Sequence, residues 1–285
     1  MATIFALCAA VCAAQGAAGT LSATVAARAL TPGELLVLTI AVDGEPERLQ
    51  VTLFERNVPV YRLAAGRWQA IAGIDLNRSP GQYSLTVMAA RDGVTLLHTQ
   101  DILVAGKEFA TRRLRVDPGF VNPPAAQLAR IAADRTFLDG VFAASADTRL
   151  WSSSFVRPVP GPSSGRFGSR SVFNGAPRSP HGGTDLLSPA GTPVKAPNAG
   201  RIVCARDLFF TGQTVIVDHG LGIFSLLAHL SRVDVQEGER VAAAQMVGLV
   251  GASGRVTGPH LHWGVTVSGA RVDPMSVLAL LGQTN

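Results

Sequence analysis

Cysteine is scarce in this chain and lysine scarcer still. Three cysteines occur in 285 residues, and two of them, Cys8 and Cys12, lie in an apolar N-terminal stretch. Cys204 alone stands beyond that stretch, so no disulfide framework holds the folded part together. It follows Arg201-Ile202-Val203 in an expected strand and reads as a buried, inert thiol. The only lysines are Lys107 and Lys195, and charged residues of all kinds make up 16 % of the chain against 47 % hydrophobic. That balance excludes a disordered chain. No run of Lys/Arg and no nucleic-acid motif is present, which argues against a nucleic-acid partner. There is no internal repeat and no low-complexity tail. The apolar stretch from Met1 to about Ala18 is too short for a membrane span and reads as a secretory signal, so the mature chain is expected to have no transmembrane helix.

What is present is a length of 285 residues, enough for one or two domains with real cores, and a net charge of +5 carried almost wholly by arginine. The sequence pI of about 9.7 favours an anionic setting, such as a cell envelope or acidic lipid. Residues 20–106 read as short strands: Leu35 to Ile40, Gln50 to Phe54, Val58 to Tyr61 after a polar turn at Glu55-Arg56-Asn57, and Tyr83 to Val87. Arg91-Asp92-Gly93 is a hairpin signal ahead of Val94 to Leu97. Strands at about ten-residue spacing suggest a small β-sandwich. A lone His98 there is structural.

Residues 107–150 are expected to form a linker with one helix. Asn122 caps it, Pro123 and Pro124 open its first turn, and Leu128, Ile131, Leu138 and Phe142 recur along it at mostly helical spacings out to about Ala144. From Trp151 onward the chain is expected to be all-β with long Gly/Pro/Ser-rich loops over 157–200. Strands are expected at 200–203, 214–217, 223–227, 245–250 and 261–267, with turns at Asp218-His219-Gly220 and Ala252-Ser253-Gly254. The fold class is thus mainly β, with a sandwich, a connector helix and a C-terminal β domain.

Five of the six histidines, at 181, 219, 229, 260 and 262, fall in the last 105 residues. Residues two apart on a strand face the same way, so His260 and His262 share one face while Leu261 and Trp263 take the other. Trp263, Val265, Thr266 and Val267 are β-formers and support a strand there. Together with His181 and Asp185, this histidine pair can supply the three protein ligands of a zinc site and leave a fourth position for water.

Residues 151–280 resemble the catalytic domain of lysostaphin-type zinc metalloendopeptidases, which act on peptidoglycan. The matching blocks are Arg166-Phe167-Gly168-Ser169-Arg170, His181-Gly182-Gly183-Thr184-Asp185, Gly191-Thr192-Pro193-Val194, Ala199-Gly200, Asp218-His219-Gly220, Ala228-His229-Leu230-Ser231, Gly248 to Gly254, Thr257-Gly258-Pro259-His260-Leu261-His262, and Val272-Asp273-Pro274. The preceding strands and helix resemble, more weakly, the sandwich-type domain of some exported members. The resemblance implies a long substrate groove, a Zn2+ cofactor held by His181, Asp185 and His262, and a catalytic pair of His229 and His260. His260 is the expected base and His229 the expected transition-state stabiliser, with the exchange of the two roles as the alternative. It implies peptidoglycan stem peptides or cross-links as substrate, a role in cell-wall remodelling, and a periplasmic or cell-envelope location. An alternative implication is a silent scaffold of the same fold that activates another wall hydrolase; the intact set of five residues favours the enzyme. A regulatory partner is not specified. His219 is expected to be structural or to edge the substrate. One position departs from the family pattern: Leu227 stands where an aromatic residue is common, two before His229.

Overall fold

A computed structural model describes residues 19–114, 123–177 and 179–282. The expected signal at 1–19, with Cys8 and Cys12, lies outside the described residues apart from residue 19, and so does the expected helix cap Asn122. The chain is mainly β. It forms two compact units divided between Lys107 and Glu108.

The first unit is built of two four-stranded antiparallel sheets. One has the strands Leu21–Ala26, Leu35–Val42, Arg67–Gly73 and Val60–Ala64 in that spatial order; the other has Arg56–Val58, Arg48–Leu53, Gly81–Arg91 and Val94–Val104. Leu36, Leu38 and Ile40 from one sheet and Val51, Leu85, Val87 and Ile102 from the other share a single apolar core. The Asp92-Gly93 hairpin has both residues left-handed, at φ 50° and 75°, as a two-residue primed turn requires. The polar turn falls earlier than expected. Phe54 and Glu55 take it at φ 54° and 63°, and Arg56–Val58 is strand. Burial decides this: the Phe54 ring is edge-on to Tyr83 at 5.1 Å and under the Arg78 guanidinium at 4.7 Å, which holds a bulky residue in a conformation it otherwise avoids. Pro59 ends that strand, and the chain enters the other sheet at Val60. Buried Glu34 is paired by Arg28 through two bonds of 2.8 and 2.9 Å and by Lys107 at 3.3 Å.

The second unit holds a nine-stranded sheet. Its central order runs Gly183–Leu186, Leu261–Val267, Ile223–Val233, Gly212–Gly220, Gly200–Leu208 and Arg240–Val241, all antiparallel. The expected turn at Asp218-His219-Gly220 is the end of a strand; the reversal comes at Leu221 and Gly222, with φ 53° and 79°. The segment after the helix explains the shift. Asp218 accepts from Ser145 Oγ at 2.7 Å and from Ala146 N at 2.8 Å, and Leu150 N donates to His219 O at 2.9 Å, so the strand is extended by pairing.

The helix runs Ala125–Ala143 with Pro124 in the capping position and no side-chain cap. Its C-terminal half docks Phe137, Leu138, Val141 and Phe142 on Cys204, Leu208, Ile216 and Phe224. Its N-terminal half makes polar contacts instead. Arg130 pairs with Asp207 at 2.8 Å, Asp134 accepts from Phe209 N at 2.7 Å, and Leu128 is exposed rather than packed. Among the described residues no helix is long and apolar enough to cross a membrane. Cys204 is buried, and burial together with the Glu237 charge pushes its thiol up to about 12, so it is unreactive at neutral pH.

Candidate metal centre

Strand register assembles the site. Gly183–Leu186 pairs antiparallel with Leu261–Val267 so that Asp185 stands directly opposite His262 and Thr184 opposite Trp263. On its other side His262 faces Ala228 of Ile223–Val233. One row across three strands thus carries Asp185, His262 and Ala228, with His229 next in the chain. Leu261 and Trp263 point to the opposite face and are fully buried, as the alternation requires. Leu227 lies opposite Trp263 and is also fully buried. Its side chain therefore belongs to the core, on the same face as Trp263 and away from His262.

His181 Nε2 lies 3.0 Å from His262 Nδ1 and 3.1 Å from Asp185 Oδ1, and the latter two atoms are 3.1 Å apart. Ligands held at ~2.0–2.1 Å around one tetrahedral ion stand ~3.3 Å from each other. A near-equilateral triangle of two imidazole nitrogens and one carboxylate oxygen therefore fits a single metal ion, and its donor set suits zinc. Burial pushes the Asp185 carboxyl up, but His181 and His262 outweigh it and hold the group well below the usual carboxylate range. It is ionised, as a ligand must be. Burial lowers His262, which keeps it neutral.

His181 and the strand that carries Asp185 are each held in place. His181 Nδ1 faces Arg166 O at 3.2 Å, which leaves Nε2 for the metal. The supporting loop is tied on both sides: Gly168 N donates to His181 O at 2.8 Å and His181 N to Ser169 O at 2.9 Å. Behind it, the strand Arg170–Phe173 pairs in parallel with Thr111–Leu114, and Phe109 packs on Gly168, where a Cβ would come within 2.1 Å of the ring. Gly183 is needed for a different reason. A Cβ there would stand 2.5 Å from Trp263 O and 2.7 Å from His262 Nε2. Asp273 accepts from Thr184 Oγ1 at 3.1 Å and from Met275 N at 3.0 Å, so it joins the ligand strand to the capped helix Pro274–Leu281.

His229 and His260 flank the triangle, with ring centroids 5.0 Å apart; His229 is 5.9 Å from the His262 ring. His260 Nε2 is 3.5 Å from Asp185 Oδ1. Both rings commit Nδ1 to a backbone carbonyl, His260 to Gly258 O at 2.9 Å and His229 to Ser253 O at 2.9 Å. A carbonyl only accepts, so each Nδ1 carries the hydrogen and each Nε2 presents a lone pair. Burial lowers His229 to about 4. Its backbone is left-handed at φ 65°, a strain of about 1–3 kcal/mol of the kind that collects at functional sites.

His219 is not part of this group. It is fully buried, with Nδ1 on Ala199 O at 2.8 Å, Nε2 on Ser225 Oγ at 3.0 Å and the Phe155 ring 5.1 Å away. That excludes a place at the substrate edge. Among the described residues, His181, Asp185 and His262 form the one cluster of three suited to a metal. Sequence reasoning did not single out Phe109 as support for the His181 loop, or Ser253, which it placed only in a turn.

The profile of Peptidase family M23 matches residues 179–274. Over 96 residues the chain is 42 % identical to the peptidoglycan DD-endopeptidase ShyA of Vibrio cholerae serotype O1, which covers 34 % of this chain and 22 % of that one. Over 97 residues it is 40 % identical to the DD-carboxypeptidase/endopeptidase Mpg of Neisseria meningitidis serogroup B, again 34 % and 22 % of the two chains. The chain thus spans about a fifth of the length of the curated relatives it matches. A crystal structure of a candidate M23 peptidase from Pseudomonas aeruginosa superposes with a TM-score of 0.68 at 32 % identity, over 89 % of this chain and 96 % of that one. That likeness extends through both units, and with it the chain belongs to peptidase family M23.

Proposed function

We propose that the protein is a zinc-dependent endopeptidase that hydrolyses peptide bonds in peptidoglycan stem peptides or cross-links and so remodels the cell wall. The observation that carries this reading is the triangle of His181 Nε2, Asp185 Oδ1 and His262 Nδ1, 3.0–3.1 Å on each side, with two further histidines beside it. The wall substrate is supported by the names of the relatives. Action outside the cytoplasm, in the periplasm or envelope, follows from such a substrate, and a net charge of +5 suits an anionic wall. Residues 20–106 are proposed as the sandwich domain, and the apolar leader at 1–19 as the export signal.

His181, Asp185 and His262 would hold the ion, which supplies Lewis acidity and a water acidified towards a pKa of ~7. His260, whose Nε2 lone pair is nearer Asp185, is the base that takes the proton from the attacking water and returns it to the leaving amine. His229 stands on the other side. With its Nδ1–H spent on Ser253 O, its Nε2 lone pair would accept a hydrogen bond from the attacking water and hold that oxygen in place as the transition state forms. The scaffold alternative gains nothing from the structure, because no ligand or flanking histidine is missing.

Elemental analysis of the purified protein and muropeptide release from purified sacculi test this together. About one zinc per chain, with cleavage abolished in His260→Ala, is the expected result. No zinc and no cleavage would leave only the scaffold.

A further inference from the structure

The turn at 252–254 is bound to His229 and to the two strands beside it. The Ser253 carbonyl accepts from His229 Nδ1 at 2.9 Å. The Ser253 hydroxyl donates to Leu230 O at 2.7 Å and accepts from Gln213 N at 2.9 Å. One residue therefore bridges the strands Gly212–Gly220 and Ile223–Val233 at the point where His229 leaves regular geometry. The pairing of those strands shifts register between Gln213 and Val215, opening a place for the hydroxyl. His229 N is satisfied nearby by Thr211 O at 2.9 Å.

The approach is close enough to demand glycine on both sides. A Cβ on Gly212 would lie 2.3 Å from Ser253 Oγ, and one on Gly254 would lie 2.4 Å from Gly212 N; both have positive φ, 61° and 73°. A left-handed histidine persists only where its surroundings over-determine it. Here the Ser253 hydroxyl supplies two of the bonds that do so.

We propose that Ser253 is a positioning residue for hydrolysis. Its hydroxyl locks the turn onto the two strands so that its own carbonyl fixes the His229 ring, leaving Nε2 beside His260 and His262. Ser253 touches neither metal nor substrate in this role; it acts through His229. The inference rests on the reading of His229 as a catalytic group.

The test is a double-mutant cycle in the full chain with a soluble cross-linked muropeptide: wild type, Ser253→Ala, His229→Ala and the double variant, with Ser253→Thr as the conservative replacement. Misplacing one catalytic group costs up to about 100-fold, so Ser253→Ala is expected to lower kcat roughly 10- to 100-fold with KM within about twofold. Zinc per chain stays at the wild-type value, and Ser253→Thr recovers most of kcat. In the His229→Ala background Ser253→Ala has no further effect. Equal losses in both backgrounds, or no loss with Ser253→Ala, would overturn the proposal. If His229→Ala keeps full activity, the parent reading of His229 fails instead. Should Ser253→Ala not fold, nitrogen NMR of the wild-type imidazoles decides: hydrogen on His229 Nδ1 is expected, and hydrogen on Nε2 overturns it.

Discussion

In the strand Gly81–Arg91 burial alternates through Leu85, Val87 and Ala89, whereas in Gly212–Gly220 almost every residue is buried. The first belongs to a sheet with one face on a core and the other on water. The second is covered on both faces: helix residues pack on Ile216, and the Phe155 ring lies against His219 on the alternate face. A sheet covered in this way must bury whatever polar groups its two faces carry, and each needs a partner. Asp218, His219, Ser225 and His229 are all buried and all bonded. In the first unit, Glu34 is the one buried charged residue among those described. The candidate metal centre thus grows where the second unit tolerates buried polarity, and among the described residues the sandwich has no comparable cluster.

Removing a proposed ligand is the sharpest way to separate the units. His262→Ala is expected to lose zinc and to lower muropeptide release about 100-fold or more, the cost of at least one transition-state contact. The far-UV spectrum of the sandwich strands should be unaffected.

Acid stability gives the next largest effect. Burial lowers His219 to about 4, below its unfolded value near 6.5, so between those values the unfolded chain binds more protons than the folded one. Stability should therefore fall as pH drops from about 6.5 to 4, by about 2–3 kcal/mol from this residue at ~1.4 kcal/mol per unit. Denaturant titrations of the metal-free protein across that range should show a flatter pH dependence in His219→Gln, although that variant is less stable at pH 7. Parallel curves would show that His219 is not the group responsible.

Gly183→Ala places a methyl 2.5 Å from Trp263 O and 2.7 Å from His262 Nε2. About 1–3 kcal/mol of destabilisation should follow, with weaker zinc retention against a chelator. Gly258→Ala, where nothing lies within 4 Å of the added carbon, serves as its silent control. The smallest effect is expected in the sandwich. Glu34→Ala removes one partner each from Arg28 and Lys107, both still reached by solvent, and should cost about 1–2 kcal/mol by thermal denaturation with zinc content unchanged. A loss of zinc in that variant would break the contrast between the units.

Some of this was legible locally. The shared face of His260 and His262, the Asp92-Gly93 hairpin and the place of most strands follow from alternation and turn chemistry over a few residues, although Gly81–Arg91, Val94–Val104 and Ile223–Val233 run well past the expected ends. Other features were not. The left-handed Phe54 answers to Tyr83 and Arg78, the strand at Asp218-His219-Gly220 answers to Ser145 and Ala146, and Leu128 stays outside because only the C-terminal half of its helix docks. In each case a partner distant in sequence overrode a local preference.

The same division runs through the site. The residue types in the cluster and the side of the strand they occupy were set by the sequence alone, because a β-strand repeats every two residues whatever surrounds it. Only the tertiary structure decided that Asp185 faces His262 across 77 residues of chain, and that Ser253 and its two glycines hold His229 in a left-handed turn. Those are matters of register and close approach between distant segments, and they take form only once the sheet is assembled.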